Sequence, residues 1–247
     1  KHFYNYKSDF KKENSLVSND VIFTFIDSKQ RLLIGTSLGL NFVELNKLDS
    51  FVPKNIDFFD IKEIGIQGYG INYITEDSFG NIWVGADSGL YKLDEELNLV
   101  KTYTLQDGLP NDLVVGVKTD SNNNLWITSK GGLSLLNPKT HKIKNFNTHD
   151  GLQGTEYNRK SIEKTKEGEI IIGGINGFNI FNPNDILLKK PDSVFPQITS
   201  LKLYNKKVFV GDTINDRVLL KKSIEKTENI IFKHDENYIS FEFLALY

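Results

Sequence analysis

The residues of this sequence that could do chemistry lie in short polar stretches between apolar ones. Two of these stretches, Asn111–Asp112 and Glu156–Arg159, combine amide, carboxylate, phenol and guanidinium groups. Together such groups suit the hydroxyls and ring faces of a sugar, because hydroxyls need both donors and acceptors. We therefore predict a binding role for Asn111, Asp112, Glu156, Tyr157, Asn158 and Arg159. In the alternative interpretation, Asn and Asp are only turn formers and Tyr157 packs in a core.

A metal site is a second possible chemistry. Asp120–Asn124 has oxygen-bearing side chains at alternate positions, as the start of a calcium loop does. However, no Glu follows at the twelfth position, and Asp27 and Asp77 stand at the same place in related stretches, where an Asp opens a turn. The histidines have no metal-ligand spacing; they are His2, His141, His149 and His234. We predict no metal and no cofactor.

Catalysis finds no support in the residue spacing. The sequence has no cysteine, no Gly-x-Ser-x-Gly and no Walker-type loop, and its carboxylate pairs Glu95-Glu96 and Asp235-Glu236 are interpreted as solvated turns. The net charge of -2 gives no basic field for a nucleic acid. No apolar run approaches the roughly 20 residues that span a bilayer. We predict no catalytic site and no nucleic-acid partner, and a membrane association only through further parts of a longer chain.

One phrase, Gly80–Leu90, occurs in four versions and organises the elements that must position the polar stretches. Its Gly-Leu pair recurs at Gly39, Gly89 and Gly132, and as the variant Gly177-Phe178, with offsets of 50, 43 and 45 residues. The small residue that ends the preceding apolar run recurs with the same offsets, at Gly35, Gly85, Thr128 and Gly173. A period in the forties is typical of four-stranded propeller blades or of HEAT-type helices.

The spacing of the apolar residues decides between these two architectures. The second unit, for example, contains the runs Ile71–Thr75, Ile82–Val84 and Val100–Tyr103, each bounded by turn residues. Short β-branched and aromatic runs of this kind indicate antiparallel strands, and four strands per unit make a blade. We predict an all-β fold with four four-stranded blades, part of a larger β-propeller with further blades before Lys1.

The tryptophans and glycines of the phrase have a structural role in this scheme. Trp83 and Trp126 occupy equivalent positions and are predicted to fill the space between blades. Because Leu33 and Ile171 stand there in the other repeats, we expect the position to require bulk and not an indole. Gly85 and its counterparts are expected where neighbouring blades approach closely, and the Gly before Leu is expected to have a positive φ.

The repeat phrase stops after Pro183, and Pro191 and Pro196 mark a linker. Runs such as Ile230–Phe232 and Tyr238–Phe243 predict the first strands of an immunoglobulin-like β-sandwich, truncated at the end of the chain. We predict propeller blades over residues 1–187 and the start of the second domain over residues 188–247. The connection 51–64 is longer than its counterparts and is expected to carry an inserted surface loop of about seven residues.

The sequence resembles a known family. Its repeats are similar to the two-component regulator propeller repeat, the fourth unit resembles the last blade of such propellers, and the segment after it resembles the three-Y domain that follows them. The stretches that carry the resemblance are Asp107–Asp112, Leu125–Thr128, Gly131–Leu133, Ile82–Gly85, Asp150–Pro183 and Phe195–Tyr247.

The resemblance implies the periplasmic sensor region of a hybrid two-component system of the kind common in Bacteroidetes. In that family the propellers sense oligosaccharides, and the three-Y domain couples them to a membrane span, a histidine kinase and often a response regulator. An oligosaccharide ligand and a homodimeric full-length sensor are therefore expected. Two alternatives are a lyase-like propeller enzyme, which would need an axial His or carboxylate cluster, and a protein-interaction scaffold, which would expose an apolar patch.

Overall fold

The computed structural model describes residues 3, 5–9, 11–12, 14–47, 59–60, 69–188 and 196–245. Of the stretch 51–64, which was expected to be an inserted loop, only residues 59–60 are described. The chain forms two compact units, Lys1–Asp185 and Ile186–Tyr247. The described residues are almost entirely strands and turns, with one short helix, α1 (Pro183–Leu188).

Unit 1 contains four antiparallel sheets in chain order, and the predicted all-β fold with propeller blades is confirmed. The first three sheets have four strands each; the fourth has three strands among the described residues, where four were predicted. The strands are β1 (Val21–Ile26), β2 (Arg31–Thr36), β3 (Leu40–Glu44), β4 (Phe59–Asp60), β5 (Ile71–Glu76), β6 (Ile82–Ala86), β7 (Gly89–Leu93), β8 (Leu99–Tyr103), β9 (Val114–Thr119), β10 (Leu125–Ser129), β11 (Gly132–Asn137), β12 (Lys142–Phe146), β13 (Tyr157–Lys164), β14 (Ile170–Gly174) and β15 (Gly177–Phe181).

The first strand of each sheet is its inner strand. β1 packs beside β5, β5 beside β9, and β9 beside β13, and β13 also contacts β5. The four inner strands therefore surround a common axis, as the innermost strands of propeller blades do. The apolar side chains between successive sheets form the core, which includes the fully buried Leu33, Ile71 and Val84.

In the first three sheets, an aspartate stabilises the turn between the first two strands. In the second sheet the Asp77 carboxylate accepts from the backbone N–H and the side-chain amide of Asn81, and from the indole N–H of Trp83 at 2.9 Å. The third sheet repeats this arrangement, with the indole N–H of Trp126 donating to Asp120 at 3.2 Å. Where the position holds a tryptophan, the indole N–H therefore donates a hydrogen bond in addition to filling space. The first sheet forms with a fully buried Leu33 at this position, so an indole is not required there.

In the first sheet the turn aspartate also accepts a side-chain hydrogen bond, but from a different residue. Leu33 stands at the Trp position, and the carboxylate of Asp27 instead accepts from the Nε–H of Arg31 at 2.6 Å. Asp27 and Arg31 are both buried, so the carboxylate needs a donor in every version of the turn. In the fourth sheet an uncharged Thr165 takes the Asp position and accepts from the backbone N–H of Glu169.

Two glycine predictions can be compared with the structure. A Cβ on Gly85 would lie 2.7 Å from Cγ1 of Val114 in the next sheet, which confirms a close approach of neighbouring blades. The equivalent Gly173 differs, because a Cβ there would meet Ser161 of its own sheet. The Gly before Leu has a positive φ, with 139° at Gly89.

A belt of hydrogen bonds joins successive sheets at the end of the axis where the inner strands finish. The backbone N–H and hydroxyl of Ser28 donate to the carboxylate of Glu76 in the second sheet. In the same way, the N–H and hydroxyl of Ser78 donate to Oδ1 of Asn123 in the third sheet. Nδ2 of Asn122, in the turn of the third sheet, then donates to Oδ1 of Asn184 at 3.2 Å. We call these contacts the turn belt.

Unit 2 has one three-stranded antiparallel sheet, in the order β17-β16-β20, and one hairpin, β18-β19. Its strands are β16 (Pro196–Leu203), β17 (Lys206–Val208), β18 (Thr213–Ile214), β19 (Arg217–Val218) and β20 (Ile239–Ala245). The strand predicted at Ile230–Phe232 is wrong, because these residues are irregular. The immunoglobulin-like arrangement stays a prediction.

The interpretation of Asp235-Glu236 as a solvated turn is also wrong. Glu236 is buried, and its carboxylate accepts from the backbone N–H of Lys233, the amide of Asn215 and the guanidinium of Arg217. These contacts, the Lys233 N–H first among them, hold the pKa of Glu236 below its ordinary value. By contrast, Glu95 and Glu96 are exposed and pair with Lys29.

Candidate ligand-binding site

The polar loops predicted from the sequence lead into the inner strands at one end of the axis. We call this end the mouth; it comprises the starts of β1, β5, β9 and β13 and the turns that follow β2, β6, β10 and β14. Three inner strands have a one-residue bulge here, formed by Ile22, Asn72 and Val115. A bulge of this kind redirects a side chain away from the regular alternation of the strand, and bulges are frequent beside functional sites.

Asn111 and Asp112 behave as the alternative interpretation expects. Oδ1 of Asn111 accepts from the backbone N–H of Leu113 at 2.8 Å, which closes a local turn. Oδ1 of Asp112 accepts from the backbone N–H of Leu105 at 2.7 Å and so anchors the preceding loop. Both side chains thus have a structural role that explains their residue type.

Tyr157 also has a structural role, whereas its neighbours face solvent. Tyr157 is fully buried, its hydroxyl donates to the carbonyl of Gly154, and burial raises its pKa to about 12. Glu156 is exposed, with Oε2 lying 3.8 Å from Nζ of Lys130. Asn158 is exposed as well. The structure therefore keeps Glu156 and Asn158 available to a ligand and Tyr157 inside the core.

Arg159 belongs to a polar chain that crosses the mouth. Its Nη2 lies 3.1 Å from Oδ1 of Asp87, in the turn after β6. The same Oδ1 accepts from Nδ2 of Asn72 at 2.8 Å, and that Nδ2 also donates to the carbonyl of Val114 at 2.9 Å. The chain of contacts links the second, third and fourth sheets. Asp87 and Asn72 were not identified from the sequence.

The carboxylate of Asp87 is set in place by its surroundings. Its backbone N–H donates to the carbonyl of Gly70 at 3.1 Å, and a Cβ on Gly70 would lie only 2.9 Å from Oδ2 of the carboxylate. Any residue larger than glycine at position 70 would therefore displace Asp87 or itself. The loop before β5 thus needs Gly70 so that the carboxylate can approach the backbone.

The bulge of β13 is wider than the other three. Tyr157 pairs with Gly174 and Ile162 with Ile172, so four residues of β13 stand opposite one residue of β14. We call residues 158–161 the wide bulge. Within it, Lys160 has a positive φ of 65°, and its ammonium donates to the carbonyl of Ile22 in the first sheet. The wide bulge therefore contacts both the first and the second sheets.

Below the mouth, an aromatic and charged cluster occupies the space between the inner strands. The rings of Phe23 and Tyr73 lie 4.6 Å apart, and Nζ of Lys118 lies 5.8 Å from the centre of the Tyr73 ring. The same Nζ lies 2.7 Å from Oε1 of Glu163. The hydroxyl of Tyr73 reaches the carbonyl of Ile162 at 3.5 Å. These side chains pack across the axis and separate the mouth from the belt end.

The two charged groups of this cluster, Lys118 and Glu163, form an ion pair. Burial acts to lower the pKa of Lys118, but its hydrogen bond to Glu163 and its contact with Tyr73 outweigh burial and raise the pKa. Burial acts to raise the pKa of Glu163, but the hydrogen bond from Lys118 outweighs it and lowers the pKa. Burial also raises the pKa of Tyr73. At neutral pH the pair is therefore ionised on both sides, and it has a structural role.

A cleft of about 560 Å³ lies at the belt end, lined by Lys29, Arg31, Phe42, Glu44, Asn46, Glu95 and Glu96. Within the lining, Lys29 pairs with Glu95 and Glu96. Arg31 pairs with Asp27, which lies outside the lining. In the Asp120 loop, the carboxylate of Asp120 likewise has partners within the loop, because it accepts from the backbone N–H groups of Asn122 and Asn124. This confirms the turn interpretation of that loop.

Comparisons with known proteins found similarities in sequence and in fold. No family model matches the sequence. The chain is 34% identical over 273 aligned residues to Histidine kinase P4 from Formosa agariphila, and the match covers 93% of this chain and 16% of that protein. The chain is therefore similar in sequence to one segment of a histidine kinase. It spans about a sixth of the length of that kinase.

Two crystal structures of the extracellular domain of BT4673 from B. thetaiotaomicron share its fold. One is described as part of a hybrid two-component system and has a TM-score of 0.55 at 16% identity, covering 92% of this chain and 41% of that chain. The other has a TM-score of 0.54 at 18% identity, covering 93% of this chain and 28% of that chain. The predicted resemblance to the extracellular regions of two-component systems is thus confirmed at the level of the fold. In the part of this chain that the structure describes, no helix is long and apolar enough to cross a membrane.

The sequence carried a signal for the residues that it did not identify. Asn72 is a polar residue inside an apolar strand, at a position where the equivalent bulges have Ile22 and Val115. Asp87 follows the small residue of the repeated phrase, where the first repeat has Ser37. Departures from the repeat, and not residue type alone, therefore mark the mouth.

Proposed function

We propose that this chain is the extracytoplasmic ligand-sensing region of a hybrid two-component sensor, with a histidine kinase and a response regulator in the same longer protein. The observation that carries the proposal is the match to a histidine kinase over nearly the whole chain, together with a fold shared with the extracellular domain of a two-component system. Such a region acts by binding and not by chemistry. Its location would be the periplasm, and its attachment to the membrane would use other parts of the protein.

The ligand we propose is a glycan fragment, bound without covalent change at the mouth. Glu156, Asn158 and Arg159 supply an exposed carboxylate, amide and guanidinium there, and Asp87 adds a second carboxylate. Such a set offers both donors and acceptors to hydroxyl groups. Asn111, Asp112 and Tyr157 would support the site through the turns and the core that they stabilise.

Signalling would follow from a difference in affinity. A ligand that binds one arrangement of the sensor more tightly than another shifts the population towards the first, and it can shift it only by the ratio of the two affinities. In our proposal unit 2 acts as the three-Y domain and transmits that shift, and the full sensor works as a homodimer.

The test uses the full-length protein in membrane vesicles and the purified extracytoplasmic region in parallel. We expect one or more members of an oligosaccharide panel to give a binding isotherm with the purified region and to change kinase autophosphorylation in vesicles. After prolonged incubation, mass spectrometry should find the oligosaccharide unchanged. Cleavage of the oligosaccharide would instead support a propeller enzyme. Autophosphorylation that responds to a purified protein partner, but to no oligosaccharide, would support an interaction scaffold.

A further inference from the structure

A buried acceptor without a donor lies beneath the mouth. Asn72 is fully buried, and its Nδ2 donates to two acceptors, Oδ1 of Asp87 and the carbonyl of Val114. Because both partners are acceptors, the orientation of the amide is settled, and Oδ1 of Asn72 is left without a hydrogen bond. Burial of an unsatisfied carbonyl oxygen is unfavourable, so a conformation that supplies a donor to it is favoured.

The carboxylate next to this acceptor is reachable from solvent. The side chain of Asp87 retains 37% of its exposure, and that of its partner Arg159 retains 50%. An ion pair as exposed as this contributes little to stability. A ligand hydroxyl can therefore compete with the guanidinium for the carboxylate at small cost.

The fold itself does not require these polar residues. Val115 stands at the bulge position of Asn72 in the third sheet, and Ser37 stands at the turn position of Asp87 in the first sheet. Both of those sheets form the same strands without the amide or the carboxylate. The pair Asn72 and Asp87 is thus specific to the second sheet, where it faces the wide bulge through Arg159.

We propose that Asn72, Asp87 and Arg159 form a subsite for a ligand with two neighbouring hydroxyl groups. One hydroxyl donates to the carboxylate of Asp87 in place of Arg159, and the other donates to the unsatisfied Oδ1 of Asn72. The released guanidinium donates to an oxygen of the same ligand. This inference deepens the proposed function and rests on it.

Binding at this subsite is coupled to movement of the wide bulge. In the present arrangement Oδ1 of Asn72 is buried, so the ligand reaches it only when neighbouring residues move. We infer that the segment that moves is the wide bulge, because Arg159 pairs with the carboxylate to which Asn72 donates. The same segment contacts the first sheet through Lys160 and the carbonyl of Ile22. Occupation of the subsite therefore changes the contacts between the fourth sheet and the first two.

The experiment exchanges the two residues for those that other repeats use. Asn72→Val copies Val115 and Asp87→Ser copies Ser37, so both variants keep side chains that this fold already accepts. Glu95→Gln is the matched control, because Glu95 is an exposed, paired carboxylate of the same sheet at the belt end. Each purified protein is applied to a printed array of neutral oligosaccharides, and the affinity for those that the wild type binds is measured by calorimetry.

We expect each variant to lose about 10-fold or more in affinity, the equivalent of one hydrogen bond to a charged or buried partner, and the control to stay within about 2-fold. Hydrogen exchange should show that a bound oligosaccharide alters the amides of residues 158–161 in the wild type but not in Asp87→Ser. Thermal melting checks that folding is unchanged in each variant. If Asn72→Val melts at a lower temperature than the wild type, the affinity of Asp87→Ser alone decides the test, because Asp87 is half-exposed.

Two results would overturn the inference, and they can be told apart. Wild-type affinity in both variants would remove the subsite and leave the sensor proposal intact. An array on which the wild type itself binds no oligosaccharide would remove the glycan ligand from the proposed function and the subsite with it.

Discussion

The turn aspartate accepts from an arginine in the first sheet and from an asparagine and a tryptophan in the second. This difference can be tested by placing the donor residues of the first sheet at the equivalent positions of the second. The first sheet combines Asp27 with Arg31 and Leu33, whereas the second combines Asp77 with Asn81 and Trp83. Trp83→Leu removes a fully buried indole and leaves Oδ2 of the carboxylate without the indole N–H. A large core truncation with a lost hydrogen bond to a charged group should cost about 4 kcal/mol of unfolding free energy.

Adding Asn81→Arg to Trp83→Leu should restore a donor to the carboxylate. In the first sheet the Nε–H of Arg31 donates to Asp27 at 2.6 Å, and its backbone N–H donates at 2.8 Å. We therefore expect the double variant to be more stable than Trp83→Leu by about 1–3 kcal/mol, the value of a hydrogen bond between charged groups. In the wild type, Asn81→Arg should instead destabilise, because it removes the amide contacts and competes with the indole.

The measurement is urea unfolding followed by circular dichroism for the wild type, the two single variants and the double variant. A coupling of about 2 kcal/mol between the two positions is expected, which is within the usual range for residues in contact. The opposite sign of the arginine effect in the two backgrounds is the specific signature. If Asn81→Arg destabilises both backgrounds equally, the carboxylate does not need its donor from these positions, and the reasoning is refuted.

Three further predictions concern other parts of the molecule. Glu163→Gln should lower the unfolding free energy at neutral pH by only about 0.5 kcal/mol, because the Glu163 side chain is 70% exposed. The folded pKa of Glu163 lies below its ordinary value, so this contribution is complete at neutral pH and is lost as the pH falls through the folded pKa. The unfolding free energies of variant and wild type, measured with urea, should therefore converge below about pH 4. Gly85→Ala should destabilise by about 1–3 kcal/mol because its Cβ would meet Val114, and combining it with Val114→Ala should cost less than the sum of the two single changes in the same assay. Glu236→Gln should lower the melting temperature of unit 2, because the buried carboxylate receives three donors, and an unchanged melting temperature would contradict that role.

The architecture of unit 1 was predictable because its signals are repeated and local. Strands at Val21–Ile26 and Ile82–Ala86 follow from short β-branched and aromatic runs between turns, and the positive φ of Gly89 follows from the repeated Gly-Leu pair. Each of these features depends on a few residues near it in the sequence. Repetition then confirmed each local signal several times.

The polar contacts could not be predicted in this way, because they join residues far apart in the sequence. The pairing of Arg159 with Asp87 joins positions 72 residues apart, and nothing near either residue indicates the other. The burial of Glu236 depends on Arg217 and Asn215, which a loop brings to it. The indole of Trp83 looked replaceable because Leu33 takes its place, and the compensating Arg31 becomes meaningful only once Asp27 is seen to be buried.

The turn belt has a mechanical consequence for unit 1. Paired hydrogen bonds from Ser28 and Ser78 hold successive sheets together at the belt end, whereas at the mouth the wide bulge contacts the second sheet through a half-exposed ion pair. Sheets that are held together at the belt end can separate more easily at the mouth. The belt would then act as a hinge line, and a small displacement of Arg159 would appear as a tilt of whole sheets. Because the sequence contains no cysteine, single introduced cysteines at the mouth and at the belt can carry distance probes that measure this tilt directly.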